Sequence, residues 1–191
     1  ILIMRYDVII VGGGVSGLSC AITLGSGIEH DMEFIKGKSI VVIDDDDSDL
    51  KKARLNNVPG VKKGTLGKDF LNELKAQTKE YNIEIIQDSV ISIKKDGGFS
   101  INTKSGKTLQ AQVVVLATGF KAFNIEGLNL KVVENPLSPK PGRVMIETTK
   151  NYEAIDNTGN MIENLYVAGL LAGFSSMYAC ASGSGVQVGI N

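Results

Sequence analysis

The sequence predicts an α/β domain in which a parallel sheet carries helices on one face and an antiparallel meander on the other. Three observations lead there. Residues 6–11 and 39–43 are short β-branched runs, nearly all apolar, as in parallel strands buried on both faces. A glycine-rich turn and a helical stretch with one apolar face follow the first run. Beyond residue 82 the chain breaks into short strands separated by turn residues.

Composition narrows the function classes. With 191 residues, 43% hydrophobic and 21% charged, the chain can bury one substantial core and is too apolar for disorder. Twenty basic against 21 acidic residues leave a net charge of −1, no overall field for gathering nucleic acid or an anionic membrane. No apolar run approaches the ~20 residues of a membrane span, and Arg5 and Asp7 interrupt the apolar start, which reads as a strand and not a targeting segment. Cys20 and Cys180 form neither a CxxC pair nor a zinc spacing, so a cytoplasmic protein is expected. A single histidine, His30, offers little to a metal site or a Ser-His-Asp triad and reads as exposed. Glycine stands out, with 22 residues gathered at four places.

The elements follow in order. After the strand at 6–11, Gly12-Gly13-Gly14-Val15-Ser16-Gly17 matches GxGxxG, and residues 18–24 continue as a helix with Leu18, Ala21 and Ile22 inward. A phosphate cradle needs these residue types. Gly12 allows the tight turn, Gly14 lets a diphosphate approach the backbone, and Gly17 lets helix and strand pack closely, while the helix N-terminus offers amides and a positive dipole end. A bound dinucleotide is therefore expected. Residues 25–37 read as a polar insertion. The strand at 39–43 delivers Asp44, whose carboxylate can accept from ribose hydroxyls and repels the 2′-phosphate of NADP. Asp44 opens an acidic run, and which carboxylate of 44–47 meets the ribose stays open, with Asp45 beside it as a candidate; residues 45–49 otherwise read as a solvated loop.

Residues 56–60 form a turn. Residues 70–81 form a helix with Phe70, Leu71 and Leu74 inward and Lys75, Lys79 and Glu80 outward. Strands at 83–86, 90–93, 99–103 and 109–116 make an antiparallel meander in place of a crossover helix. The last of them runs into Ala117-Thr118-Gly119. A second buried run, 165–169, ends at Gly169, ahead of Ser182-Gly183-Ser184-Gly185 in a final helix starting near Met177.

This order resembles the FAD-binding domain of flavoproteins with two dinucleotide-binding domains, and within them the thioredoxin reductase branch, which shares the Asn-x-Pro-Gly segment at Asn57 and the small-residue C-terminal stretch. The resemblance spans residues 5–190. It implies a Rossmann-like three-layer FAD-binding domain over residues 1–191. Gly12, Gly14, Val15 and Ser16, with Gly17 behind them, would meet the FAD pyrophosphate. Asp44 or Asp45 would hold the adenosine ribose, the backbone of Val90 would read the adenine edge, and Ala117, Thr118 and Gly119 would close over the nucleotide. Asn57, Gly169 and Leu170 would lie toward the flavin, and the last helix would aim its positive end at the flavin's pyrimidine edge.

Three departures from that branch shape the expected function. Residues 120–165 contain Pro136, Pro139 and Pro141 and no second GxGxxG, and are fewer than the ~50 residues of a minimal domain, so the NADPH-binding domain is expected to be absent. Without a CxxC, disulfide reductase chemistry does not carry over, and both cysteines read as small buried hydrophobes. The branch's Gly-Asp, which binds the ribityl chain, is Gly169-Leu170 here, a loss of about 1 kcal/mol of cofactor binding. The chain looks most like small stand-alone relatives of thioredoxin reductase.

The expected function is an FAD-dependent oxidoreductase with no assignable catalytic acid, base or nucleophile, reduced by NAD(P)H or by a protein electron donor. The alternatives are a non-catalytic FAD-binding subunit or redox sensor acting through a partner, and a plain NAD-binding domain. A homo-oligomer, or a C-terminal extension beyond Asn191, that completes the site stays open. Arg54, Lys62 and Lys63 read as solvated surface, and Met177 and Tyr178 as either packing or flavin contacts.

Overall fold

In the computed structural model, which describes residues 2–191, the chain runs β1 (Ile3–Val11), α1 (Val15–Glu29), β2 (Ile40–Asp44), β3 (Arg54–Leu55), β4 (Thr65–Leu66), α2 (Gly67–Glu80), β5 (Glu84–Gln87), β6 (Val90–Asp96), β7 (Gly98–Thr103), β8 (Thr108–Leu116), β9 (Val132–Glu134), β10 (Val144–Ile146), β11 (Glu153–Ile155), β12 (Met161–Val167) and α3 (Tyr178–Ile190). Five strands form a parallel sheet in the order β12-β8-β1-β2-β5, with β11 antiparallel on the outer side of β12. The meander β6-β7 joins through β7, which pairs with the first half of β8.

Alternation along the central strands builds the layers. Val8 and Ile10 of β1, with Ile40 and Val42 of β2, share a core with Leu18 and Ala21 of α1, Leu71 and Leu74 of α2 and Val188 of α3. Ile9 and Val11, with Val41 and Ile43, share the opposite core with Ile93, Phe99, Ile101 and Leu109 of the meander strands. Because successive side chains point to opposite faces, a continuous apolar run is what a strand with a core on each side requires. Helices on one face and meander on the other are the three layers expected.

Several details depart from the sequence reading. α1 does not stop at residue 24 but continues to Glu29. Gly25 and Gly27 are packing positions: a Cβ on Gly25 would lie 2.6 Å from the Tyr81 Cβ, and one on Gly27 2.9 Å from Ile35. The strand near 83–86 is not part of the meander. It is β5, parallel to β2, so α2 is a crossover helix after all. Lys75 does not face outward; its side chain is 22% exposed and pairs with Asp44. Cys20 is buried as expected, and desolvation pushes its thiol up to about 12, but Cys180 is exposed in the first turn of α3. His30 is exposed at the C-cap of α1. Residues 120–165 hold the β9-β10 hairpin, β11 and the first part of β12, and no helix.

Candidate functional site: a groove along the carboxyl edge of the sheet

The parallel register brings three turns side by side. Val11 pairs with Leu116 and Leu116 with Val167, so the chain leaves β1, β8 and β12 at one level. The Ala117 amide donates to the Val11 carbonyl (2.8 Å) and the Ala168 amide to the Leu116 carbonyl (2.9 Å), extending the ladder into the turns. Gly12, Ala117-Thr118-Gly119 and Gly169-Leu170 therefore line up at the carboxyl ends of adjacent strands, where open α/β sheets place their ligands.

Close approach dictates the glycines. Gly12 sits at φ +120°, and a Cβ there would be 2.1 Å from the Ala117 carbonyl oxygen; its amide donates to the Ile43 carbonyl, 2.9 Å away. A Cβ on Gly17 would be 1.9 Å from the Gly12 carbonyl oxygen, so α1 lies hard against the turn. Gly13 fills a variable position of the GxGxxG motif, yet a Cβ there would fall 2.3 Å from Asp44 Cγ. At Gly14 the space opens, with only Ser48 Oγ at 3.4 Å. Gly14 is the N-cap of α1, no side chain caps that end, and the first turn has no acidic residue, so the leading amides and the dipole are uncompensated. This is the geometry that receives a diphosphate.

Two cavities share this edge. One, of about 390 Å³, is lined by Gly12, Gly14, Val15, Ser16, Asp44, Asp45, Ala117, Thr118, Gly119 and Leu170, among others. The second, of about 310 Å³, is lined by Val90 with Asp88, Ser89, Phe123 and Ile125. Gly12, Asp45, Asp47, Thr118 and Lys121 border both, so the two meet along the first glycine turn. Of the residues singled out from sequence, Gly17 and Gly169 lie behind the lining and Asn57 outside it, where its Nδ2 contacts Met177 Sδ at 3.7 Å. Gly169 has φ +72°, a Cβ on it would be 2.4 Å from Ser16 Oγ, and its amide donates to the buried Ser184 Oγ at 2.8 Å. That bond ties the end of β12 to α3. Tyr178, at the start of α3, lines the first cavity and meets Phe70 edge-on at 5.1 Å.

The acidic run is not a bare solvated loop. Asp44 is 4% exposed; its Oδ2 takes Lys75 Nζ at 3.0 Å and its Oδ1 the Asp46 amide at 2.8 Å. A buried carboxylate requires such partners, which is why Lys75 turns inward. Burial disfavours the charge on Lys75, but its bonds to Asp44 and then Asp46 outweigh this and raise its pKa. The hydrogen bond from Lys51 holds Asp46 below the usual carboxylate range against slight desolvation. Lys121 reaches Asp47 and Asp49, both at 3.1 Å, and these bonds raise its pKa. Lys121 was not foreseen, since nothing in its local sequence marks a lysine two residues past the Ala-Thr-Gly turn. Asp45 borders both cavities without a lysine partner. Among the described residues, one buried side-chain polar atom has no hydrogen-bond partner, Thr118 Oγ1, on the lining common to both cavities.

A parallel sheet whose glycine turn opens onto paired cavities at its carboxyl edge is the architecture of the flavoprotein fold. The chain belongs to the pyridine nucleotide-disulphide oxidoreductase family, whose model matches residues 6–171. It is 29% identical over 133 residues to a ferredoxin–NADP reductase of Leuconostoc citreum, covering 68% of this chain and 38% of that protein. It is 30% identical over 115 residues to a thioredoxin reductase of Helicobacter pylori, covering 59% and 35%. The chain thus spans little more than a third of the length of these relatives. Among solved structures it resembles a ferredoxin-flavin thioredoxin reductase of Clostridium acetobutylicum, with TM-score 0.72, 19% identity and coverage of 100% of this chain and 97% of that one. A thioredoxin reductase of Streptococcus pyogenes also gives TM-score 0.72, at 12% identity over 97% and 96%. Among the described residues no helix is long and apolar enough to cross a membrane, and no cluster of side chains has the makings of a metal site.

Proposed function

We propose that the chain is a single FAD-binding domain and works as an oxidoreductase, reduced by NAD(P)H or by a protein electron donor. The observation that carries this reading is the junction of the two cavities at Gly12 and Thr118, which offers one extended ligand a continuous path along the carboxyl edge. The residues present fit such a ligand. The open space at Gly14 and the uncapped start of α1 receive the diphosphate. The unpartnered Thr118 hydroxyl donates to an acceptor on the ligand, which removes the penalty of leaving it unsatisfied. Asp45 accepts from the ribose, because Asp44 is already engaged by Lys75 and Asp47 by Lys121. The backbone at Val90 borders the adenine end. The first turn of α3 has no acidic residue and no side-chain cap, so its positive end favours negative charge at the flavin end of the cleft.

When bound, FAD supplies hydride or single-electron exchange. Among the described residues no histidine or cysteine lines either cavity; Asp45, Lys121 and Tyr178 do, and they contribute binding, orientation and electrostatics. A second reading is a non-catalytic FAD-binding subunit or redox sensor that acts through a partner.

The visible spectrum of the purified protein tests the proposal. A flavin band at about 450 nm, with FAD released on heating, is expected. Colourless protein that is stabilised by NAD and takes up no flavin would replace it with a plain NAD-binding domain. Anaerobic addition of NADH or NADPH separates the donors: bleaching identifies the nucleotide, and no bleaching by either points to a protein donor.

A further inference from the structure

One stretch of surface carries charge that the fold does not neutralise. From residue 51 to 68 the chain holds Lys51, Lys52, Arg54, Lys62, Lys63 and Lys68 and no aspartate or glutamate. Lys51 pairs with Asp46; the other five are exposed, with no carboxylate within salt-bridge distance among the described residues. A loop closes the short β3-β4 ladder: the Gly64 amide donates to the Leu55 carbonyl at 2.8 Å, and exposed Gly60 turns at φ +81° with open space beside it. Its base is the cleft itself: Ala53 and Leu55 line it, and Asn57 touches Met177 at the N-cap of α3. Met177 and Leu66, each 45% exposed, place apolar area beside the cations.

We propose that the β3-β4 hairpin and the start of α3 form a docking surface for an acidic protein electron carrier seated over the flavin end of the cleft, a reading that rests on FAD binding as proposed above. Charge complementarity selects the occupant. Apolar area ringed by unpaired lysines suits a compact acidic protein, which gains steering from the cations and adhesion from Met177 and Leu66. An extended polyanion such as nucleic acid suits it poorly, because its path across the cleft meets Asp45, Asp47 and Asp49. Full reduction of the bound flavin takes one electron from each of two carriers in turn and protons from water, and each carrier departs oxidised.

The test uses the FAD-loaded protein, with flavin content read from its spectrum before any titration. An oxidised plant-type [2Fe–2S] ferredoxin serves as the acidic probe, titrated calorimetrically at ionic strengths giving Debye lengths of about 30 Å and about 8 Å. Binding should weaken at least about tenfold at the higher salt, and Lys62→Glu with Lys63→Glu should weaken it about tenfold at the lower, with flavin content and melting temperature unchanged. Equal binding by parent and double variant, no binding by either, or tighter binding of duplex DNA or phosphatidylserine vesicles would overturn the docking surface. A parent protein that takes up no flavin overturns the FAD reading instead, and the spectrum identifies that outcome beforehand.

Discussion

The Thr118 hydroxyl is buried at the rim of both cavities with nothing to bond, a cost of about 1–3 kcal/mol for the free protein. Thr118→Val keeps the shape and removes the unsatisfied group. Its thermal stability without cofactor should equal or exceed that of the parent, while its FAD dissociation constant rises about five- to tenfold, the worth of one hydrogen bond. Loss of both stability and affinity would mean that the hydroxyl serves the fold alone. Asp44 behaves oppositely. It is 4% exposed and joined to Lys75, so Asp44→Ala leaves that cation, only 22% exposed, with the longer contact to Asp46 at 3.4 Å as its remaining ion pair. A urea titration should find Asp44→Ala destabilised by about 2–3 kcal/mol, and Lys75→Met in the same background should recover part of that, because it removes a mostly buried charge left with only its weaker partner.

Two glycines of α3, two residues apart, make contrary predictions. A Cβ on Gly185 would lie 2.0 Å from the Ser16 carbonyl oxygen, so Gly185→Ala must push α3 off the start of α1; it should cost about 2–3 kcal/mol and weaken cofactor binding, read by urea titration and flavin content. Gly183 is exposed with nothing within 4 Å, so Gly183→Ala should gain about 0.5–1 kcal/mol in the same titration. The loop after β2 responds to pH. Asp46 titrates below its unfolded value, so the stability it contributes is present above the ordinary carboxylate range and is lost as pH falls through its folded pKa. Lys75 and Lys121 titrate above theirs, so their share holds up to the ordinary lysine range and is lost as pH rises beyond it. Circular dichroism melts across pH should be flat between those limits and fall at both ends.

The same elements tell what was legible in the sequence. The β1-turn-α1 unit could be read because each of its residues obeys a local rule: unbroken apolar strand, glycines at fixed spacing, apolar helix face. Gly25 and Gly27 were misread because a helix glycine that admits Tyr81 or Ile35 looks, locally, like one that ends a helix. Four-residue β5 carries no mark of its partner, since parallel or antiparallel pairing is decided by where α2 returns the chain. β3, β4 and β9–β11 are two or three residues long, too short for a period to register. Lys75 and Lys121 needed the fold, because Asp44 and Asp47, the carboxylates they meet, lie 31 and 74 residues away in sequence.

At the scale of the whole molecule, β1 and β2 present alternate residues to two cores, so neither layer can melt without exposing the back of the other. Unfolding should therefore be a single cooperative transition, with urea and thermal curves from different probes superimposing. A ligand that occupies the carboxyl edge touches the turns after β1, β2 and β8 together and binds only when all are in register. Its binding energy then adds to the stability of the entire sheet. At a hundredfold excess over its dissociation constant FAD should add about 2.7 kcal/mol, which for a chain of this size raises the melting temperature by about 5–11 °C. NAD, which fills only part of the joined cavities, should shift it little. Gly185→Ala should blunt the FAD shift by moving α3, and Thr118→Val should reduce it at fixed FAD concentration without lowering the melting temperature of the free protein. Equal shifts with FAD and NAD would mean that only the glycine turn, and not the joined pair of cavities, recognises the ligand.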